Sequence, residues 1–191
     1  IDKLMDFHDV DIQWGNHDLC HLGAAAGSYP LVANAIRVSI AYNNFDYLQD
    51  GYGINMRALA MFAAQTYADD PCERFRPHLI NSNKYDQVSP DLAAKMQKAI
   101  AIIQFKLEGQ TIRKHPEYGM DDRILLEKID YQNGTITLDG KTYPLLDTNF
   151  PTVDPAHPPI NISIKSIPFE SPGQRLKSAV LKPVVVTREA T

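Results

Sequence analysis

The stretch VDIQWGNHD, residues 10–18, decides how the rest of the chain is read. Val10, Ile12 and Trp14 alternate with Asp11 and Gln13 and run into Gly15, the pattern of a short strand emptying into a loop. Gly15-Asn16-His17-Asp18 follows at once. A strand-to-loop junction at the carboxyl end of a sheet is where α/β folds place ligands. Asn16 offers a neutral carbonyl oxygen, a hard donor suited to Mg2+ or Mn2+. His17 can donate a proton or sit as a cation beside a phosphoryl group, and Asp18 can orient that imidazole and raise its basicity. From spacing alone the same residues read equally well as a helix-capping turn, with Asn16 or Asp18 as the cap. Both readings stay open at this level.

Downstream, residues 23–27 (GAAAG) are small and suit close backbone packing. Pro30 opens a helix expected to reach about Asn43, with Leu31, Val32, Ala35, Ile36 and Ile40 on one side. A second helix is expected over residues 56–68, burying Leu59, Phe62 and Ala63. Residues 70–90, with Pro71, Pro77 and Pro90, read as a long surface loop. Ser89-Pro90-Asp91 combines a capping hydroxyl, a proline at the first position and an acidic first turn. The helix it starts carries Leu92, Met96, Ala99, Ile100, Ile103 and Leu107 on one stripe and is expected to end at Gly109. Over residues 124–146, Asn133-Gly134 and Asp139-Gly140 separate runs rich in Ile, Thr, Leu and Tyr, which predicts a small antiparallel meander with type I′ turns. Residues 150–159 are Pro-rich and irregular, and residues 160–164 (INISI) alternate once more.

Composition narrows the class of partner. The 191 residues suit one domain, or one domain plus an appendage, and the formal net charge of -4 with 19 scattered Lys and Arg argues against binding nucleic acid by bulk charge. An anionic small molecule would have to be met by a metal or a local pocket. Cys20 and Cys72 form neither a disulfide framework nor a zinc cassette and suit a reducing cytoplasm. No apolar stretch approaches the ~20 residues a membrane helix needs, and no signal peptide opens the chain. The first residue is Ile1 rather than Met, so the start looks like a cut.

A strand followed by Gly-Asn-His-Asp resembles the middle signature of the calcineurin-like metallophosphoesterases. The longer run at residues 9–19 (DVDIQWGNHDL), with Gly23–Ser28, Tyr42-Asn43-Asn44, Tyr52-Gly53-Ile54-Asn55, residues 98–108 (KAIAIIQFKLE), residues 126–131 (LEKIDY) and residues 139–145 (DGKTYPL), resembles class III fructose-1,6-bisphosphatase in particular. These runs spread over roughly residues 4–158. The resemblance implies a two-metal phosphomonoesterase, usually manganese-dependent, that removes the 1-phosphate of fructose 1,6-bisphosphate in gluconeogenesis. Asn16 would be a metal ligand. His17 would stabilise developing charge or protonate the leaving alkoxide, paired with Asp18. The fold implied is α/β: part of a metallophosphoesterase sandwich with a helical middle and a small antiparallel meander. Residues 1–158 would be a partial domain of that family and residues 159–191 an unassigned tail.

The family's Asp-x-His and Gly-Asp-x-x-Asp motifs, expected before residue 1, and its late Gly-His segments, expected after residue 158, have no counterpart in this sequence. One asparagine cannot hold two metals, so the chain alone is expected to be inactive. Two rival readings remain: another metallophosphoesterase sharing only the short motif, or a truncated, non-catalytic module that self-associates, for which the apolar stripe of residues 92–107 leaves room. His17 and His21 with Cys20 between them suggest a zinc face, but a packing role for His21 is the better account. His8, His78, His115 and His157 sit in loop-like contexts, and Arg37, Arg57 and Arg113 read as solvated or ion-paired rather than as phosphate grips. Gly51-Tyr52-Gly53 is too short a pattern for a nucleotide loop.

Overall fold

The protein is seen in a computed structural model that describes residues 2–11, 13–78, 88–149, 161–163 and 185–187. His157, the Pro-rich residues 150–159 and most of the expected tail lie outside the described residues.

The helical elements are a short turn α1 (Asp2–Met5), α2 (Asn16–Ala25), α3 (Tyr29–Ala41), α4 (Arg57–Thr66) and the long α5 (Pro90–Lys114). A π-helical turn, Tyr47–Gly51, lies between α3 and α4. α5 packs against α3 and α4, and α2 packs on the outer side of α3. The core they enclose includes Val32, Ile36, Ile40, Phe45, Leu48, Leu59, Ala63, Met96, Ile100 and Ile103. Such burial of aliphatic surface, at about 25 cal/mol per Å², is the main term favouring the bundle. The α5 stripe foreseen from sequence is buried at Met96, Ala99, Ile100, Ile103 and Leu107, and Leu92 packs against the core partly exposed. Ala101 and Ile102, off that stripe, are buried too, so α5 is covered on more than one side.

The helix boundaries follow the local chemistry. Ser89 Oγ accepts a hydrogen bond from the Leu92 amide at 3.4 Å, with Pro90 at the first helical position. Gly109 does not end the helix, which continues to Lys114. Gly109 is buried, and a Cβ there would make only an ordinary contact, 3.5 Å from Ile124 Cγ2, so nothing in the packing there calls for a glycine. α2 ends at a true glycine signal: Gly27 has φ 92, and the Ser28 amide donates to the Gly23 carbonyl at 2.9 Å.

The meander follows α5. β1 (Ile129–Asp130), β2 (Thr135–Leu138) and β3 (Lys141–Pro144) form one antiparallel sheet in that order. Leu138 pairs with Lys141, so Asp139-Gly140 is a two-residue link, and both have positive φ, at 49 and 74, as a type I′ turn needs. Asn133-Gly134 is different. Asp130 pairs with Thr135 across a four-residue link, Asp130 Oδ1 accepts from the Gln132 and Asn133 amides, and of the two turn residues only Gly134 has positive φ. The aspartate side chain therefore shapes a longer loop than the Asn-Gly pair suggested. A separate pair, β4 (Asn161–Ser163) with β5 (Val185–Thr187), is antiparallel as well and takes in the alternating run.

The mixed class expected from sequence holds in this coarser form: helices with small antiparallel sheets. The strand expected over residues 10–14 is not formed: Val10, Asp11, Gln13 and Trp14 have no regular secondary structure, and their side chains are exposed. Alternation alone cannot make a strand, because the backbone donors and acceptors of a single strand need a neighbouring one. Among the described residues no strand lies beside this segment.

Candidate active site at the start of helix α2

Gly15 is the N-cap of α2, with extended backbone at φ -85 and ψ 164. Asn16, His17 and Asp18 make up the first turn, and all three are exposed. Asp18, three residues past the cap, sends Oδ2 back to accept the Gly15 amide hydrogen at 2.9 Å. Glycine has no side chain to return the bond, so this is half of a capping box. The capping reading of the motif is thus correct for Asp18, while Asn16 and His17 keep their side chains free of hydrogen bonds among the described residues. The turn also presents the unpaired amide hydrogens and positive end of the α2 dipole, an environment that favours anions.

No hydrogen bond joins Asp18 to His17 among the described residues; the carboxylate is turned toward the backbone. In this structure the Asp18 carboxylate bonds the backbone of the turn. α2 itself is held close to α3 because Gly23 leaves room: a Cβ there would fall 2.1 Å from Leu31 Cδ1. Ala24 packs against the core on the same side.

One turn beyond His17, the His21 ring lies parallel to Tyr52, centroids 6.3 Å apart and planes at 4°, while Tyr47 meets it edge-on at 6.1 Å. The packing role is the one the structure shows for His21. Tyr47 and Tyr52 meet edge to face at 5.0 Å, and their hydroxyl oxygens are 2.8 Å apart. Burial pushes the Tyr52 phenol up to about 12, and the hydrogen bond and charge of Tyr47 add to it. The sequence carries no sign of Tyr47 in this neighbourhood, and Tyr52 stands out there only in a run of family resemblance and in the short Gly51-Tyr52-Gly53 pattern. Their meeting depends on the π-helical turn at Tyr47–Gly51, which no periodicity announces.

Arg37 donates through Nε to Gln104 Oε1 at 2.7 Å and through NH2 to Asn34 Oδ1 at 3.1 Å, a polar strut between α3 and α5. Arg113 pairs with Glu127. His78 lies against the Tyr42 ring, and His115 stacks on Tyr118. None of these joins the α2 turn.

A divalent metal pair needs more ligands than this turn offers. Asn16 supplies one hard oxygen and His17 one imidazole, and among the described residues no three His, Cys, Asp or Glu side chains converge. The residues present do not by themselves fit a two-metal site.

Comparison with known proteins gives the context. The family model described as Firmicute fructose-1,6-bisphosphatase matches residues 1–164. The fructose-1,6-bisphosphatase class 3 of Clostridium novyi (strain NT) is 54% identical over 158 residues, which is 83% of this chain and 24% of that protein. The class 3 proteins of Porphyromonas gingivalis and Bacteroides fragilis are 53% and 54% identical over 159 residues, with the same coverage. The chain thus spans about a quarter of the length of the curated relatives it matches. No solved structure matches it.

Proposed function

The chain belongs to the Firmicute fructose-1,6-bisphosphatase family, and from that premise we propose that it serves hydrolysis of the 1-phosphate of fructose 1,6-bisphosphate in gluconeogenesis, in the cytoplasm. The single observation that carries this reading is the solvent-facing Gly15-Asn16-His17-Asp18 turn at the amino end of α2, within a chain about half identical to proteins bearing that name.

In this proposal Asn16 is one oxygen ligand of a manganese site. The other ligands belong to polypeptide that corresponds to parts of the relatives this chain does not span. The same polypeptide would supply the metallophosphoesterase sandwich, and residues 1–158 are the segment that belongs to that domain. Asn16 together with ligands from that polypeptide would hold the metals, whose chemistry there would be electrostatic stabilisation of the phosphoryl group. His17 holds a proton beside the bridging oxygen and gives it to the departing sugar alkoxide as the phosphorus–oxygen bond breaks, while water adds to phosphorus. Asp18 acts through the Gly15 amide, fixing the turn that presents His17. The helix amino terminus adds fixed positive potential toward the phosphate at no reorganisation cost.

The test has two arms. The purified chain with Mn2+ is expected to give no turnover of fructose 1,6-bisphosphate. The Clostridium novyi enzyme, with its matched 158 residues replaced by those of this chain, is expected to hydrolyse it. Preference of that chimera for a phosphoprotein or a dinucleoside polyphosphate would overturn the assignment. A chimera that folds and self-associates but neither binds Mn2+ nor turns over substrate would make the segment a non-catalytic module instead.

A further inference from the structure

We propose that the Tyr47–Tyr52 hydroxyl pair, backed by His21, forms a ledge that receives the sugar hydroxyls of the phosphorylated substrate one helical turn from His17. The inference rests on the phosphatase reading of the α2 turn and deepens it by naming where specificity for a sugar would reside.

Three observations place the ledge. His17 and His21 are four apart on α2, so their side chains share one face about 6 Å apart. Side chains on a helix lean toward its amino end, which tilts His21 and the rings stacked on it toward the turn that carries His17. The ring of His21 is held from two sides, in parallel by Tyr52 and edge-on by Tyr47, so the group is a preorganised surface rather than a set of free rotors.

The chemistry of the pair fits a neutral polyol. Two phenols in mutual hydrogen bonding, oxygens 2.8 Å apart, use one proton between them and leave one donor and several lone pairs for a ligand. Adjacent hydroxyls of a sugar offer the matching set. The Tyr52 phenol, raised to about 12 chiefly by burial, stays protonated wherever a phosphoester would be handled, so the pair keeps a hydrogen to donate. Tyr47 is 40% exposed, which leaves its hydroxyl reachable. A carboxylate here would repel a bisphosphate and a lysine would hold it without regard to the sugar; two neutral hydroxyls discriminate by the presence of the polyol.

The experiment uses the Clostridium novyi enzyme with its matched 158 residues replaced by those of this chain, assayed with Mn2+. Tyr47→Phe and Tyr52→Phe keep the rings, and each is expected to raise KM for fructose 1,6-bisphosphate about tenfold while leaving inhibition by inorganic phosphate unchanged; unchanged thermal midpoints establish that the fold is kept. Phe variants with an undiminished affinity for the bisphosphate, or with phosphate inhibition weakened equally, sink the ledge but leave the phosphatase reading standing. A parent chimera that neither hydrolyses the bisphosphate nor is inhibited by phosphate removes the phosphatase reading and the ledge with it.

Discussion

Lys98 Nζ donates to Asp70 Oδ2 at 2.6 Å, and the lysine side chain has no exposed surface. The same ammonium reaches Asp147 Oδ1 and Oδ2 at 2.9 and 2.8 Å and lies 4.9 Å from the centre of the Tyr67 ring. Asp70 completes its set with the Cys72 amide at 2.8 Å and Asn149 Nδ2 at 2.7 Å. The cluster ties the segment after the meander to the helical bundle, across 28 and 49 residues of sequence.

Removing the cation strands two carboxylates. Lys98→Met is expected to cost about 1.5–3 kcal/mol in urea unfolding, because the partly exposed Asp70 and Asp147 carboxylates lose the charged donor that both of them accept from. Lys98→Met combined with Asp70→Asn should recover part of that loss. A single-variant cost below about 1 kcal/mol would show that the ion cluster does not hold the two parts together.

Acid tests the same contact with the sign fixed. Burial raises the Asp70 carboxyl, but the Lys98 ammonium, the Cys72 amide and Asn149 outweigh it and bring it down to about 2 from the usual 3.8. A depressed carboxyl contributes its stability above the unfolded value and loses it as the pH falls through the folded one. Thermal midpoints should therefore drop between pH 4 and pH 2, and Asp70→Asn should flatten that drop. An equal slope in both proteins would place the acid sensitivity elsewhere.

The two thiols should differ in reactivity. Cys72 is buried, and burial together with the Asp70 carboxylate pushes its thiol up to about 12, with Lys98 opposing. Alkylation needs the thiolate. Iodoacetamide on the native protein at neutral pH is expected to modify Cys20, which is half-buried, and to spare Cys72 until denaturant is added. Peptide mass mapping reads the outcome, and rapid native labelling of Cys72 would contradict its burial.

Asp18 separates a cap from an imidazole partner. Asp18→Ala should destabilise the first turn of α2 by about 1 kcal/mol, seen as faster hydrogen exchange at the α2 amino end. Asp18→Asn retains a carbonyl oxygen that can accept the Gly15 amide hydrogen and should keep most of that protection. Loss of protection in the Asn variant equal to that in the Ala variant would mean that the charge, not the hydrogen bond, matters.

The start of α5 was legible because Ser89-Pro90-Asp91 encodes it locally, and β2 and β3 because Asp139-Gly140 admits one turn geometry. The segment at residues 10–14 was misread because period-two alternation reports which faces differ, not whether a neighbouring strand exists. Gly109 does not end the helix because a glycine only lowers helix propensity, and buried Leu107 and Ile112 on either side of it keep α5 packed through to Lys114. The α2 turn was visible as a motif with two meanings, and the structure gives Asp18 the capping one. The Lys98 cluster and the Tyr47–Tyr52 contact had no local signal, since each depends on chain segments meeting through tertiary packing.

The enclosure of α5 on several sides governs how the molecule breathes. Amides near the middle of that helix can reach solvent only when α3 and α4 both part from it, so their exchange reports the opening of the whole bundle. The α2 turn, carried on the flank of α3, can fray without that event. Exchange at the amino end of α2 thereby reports a local event, and exchange in the middle of α5 a global one.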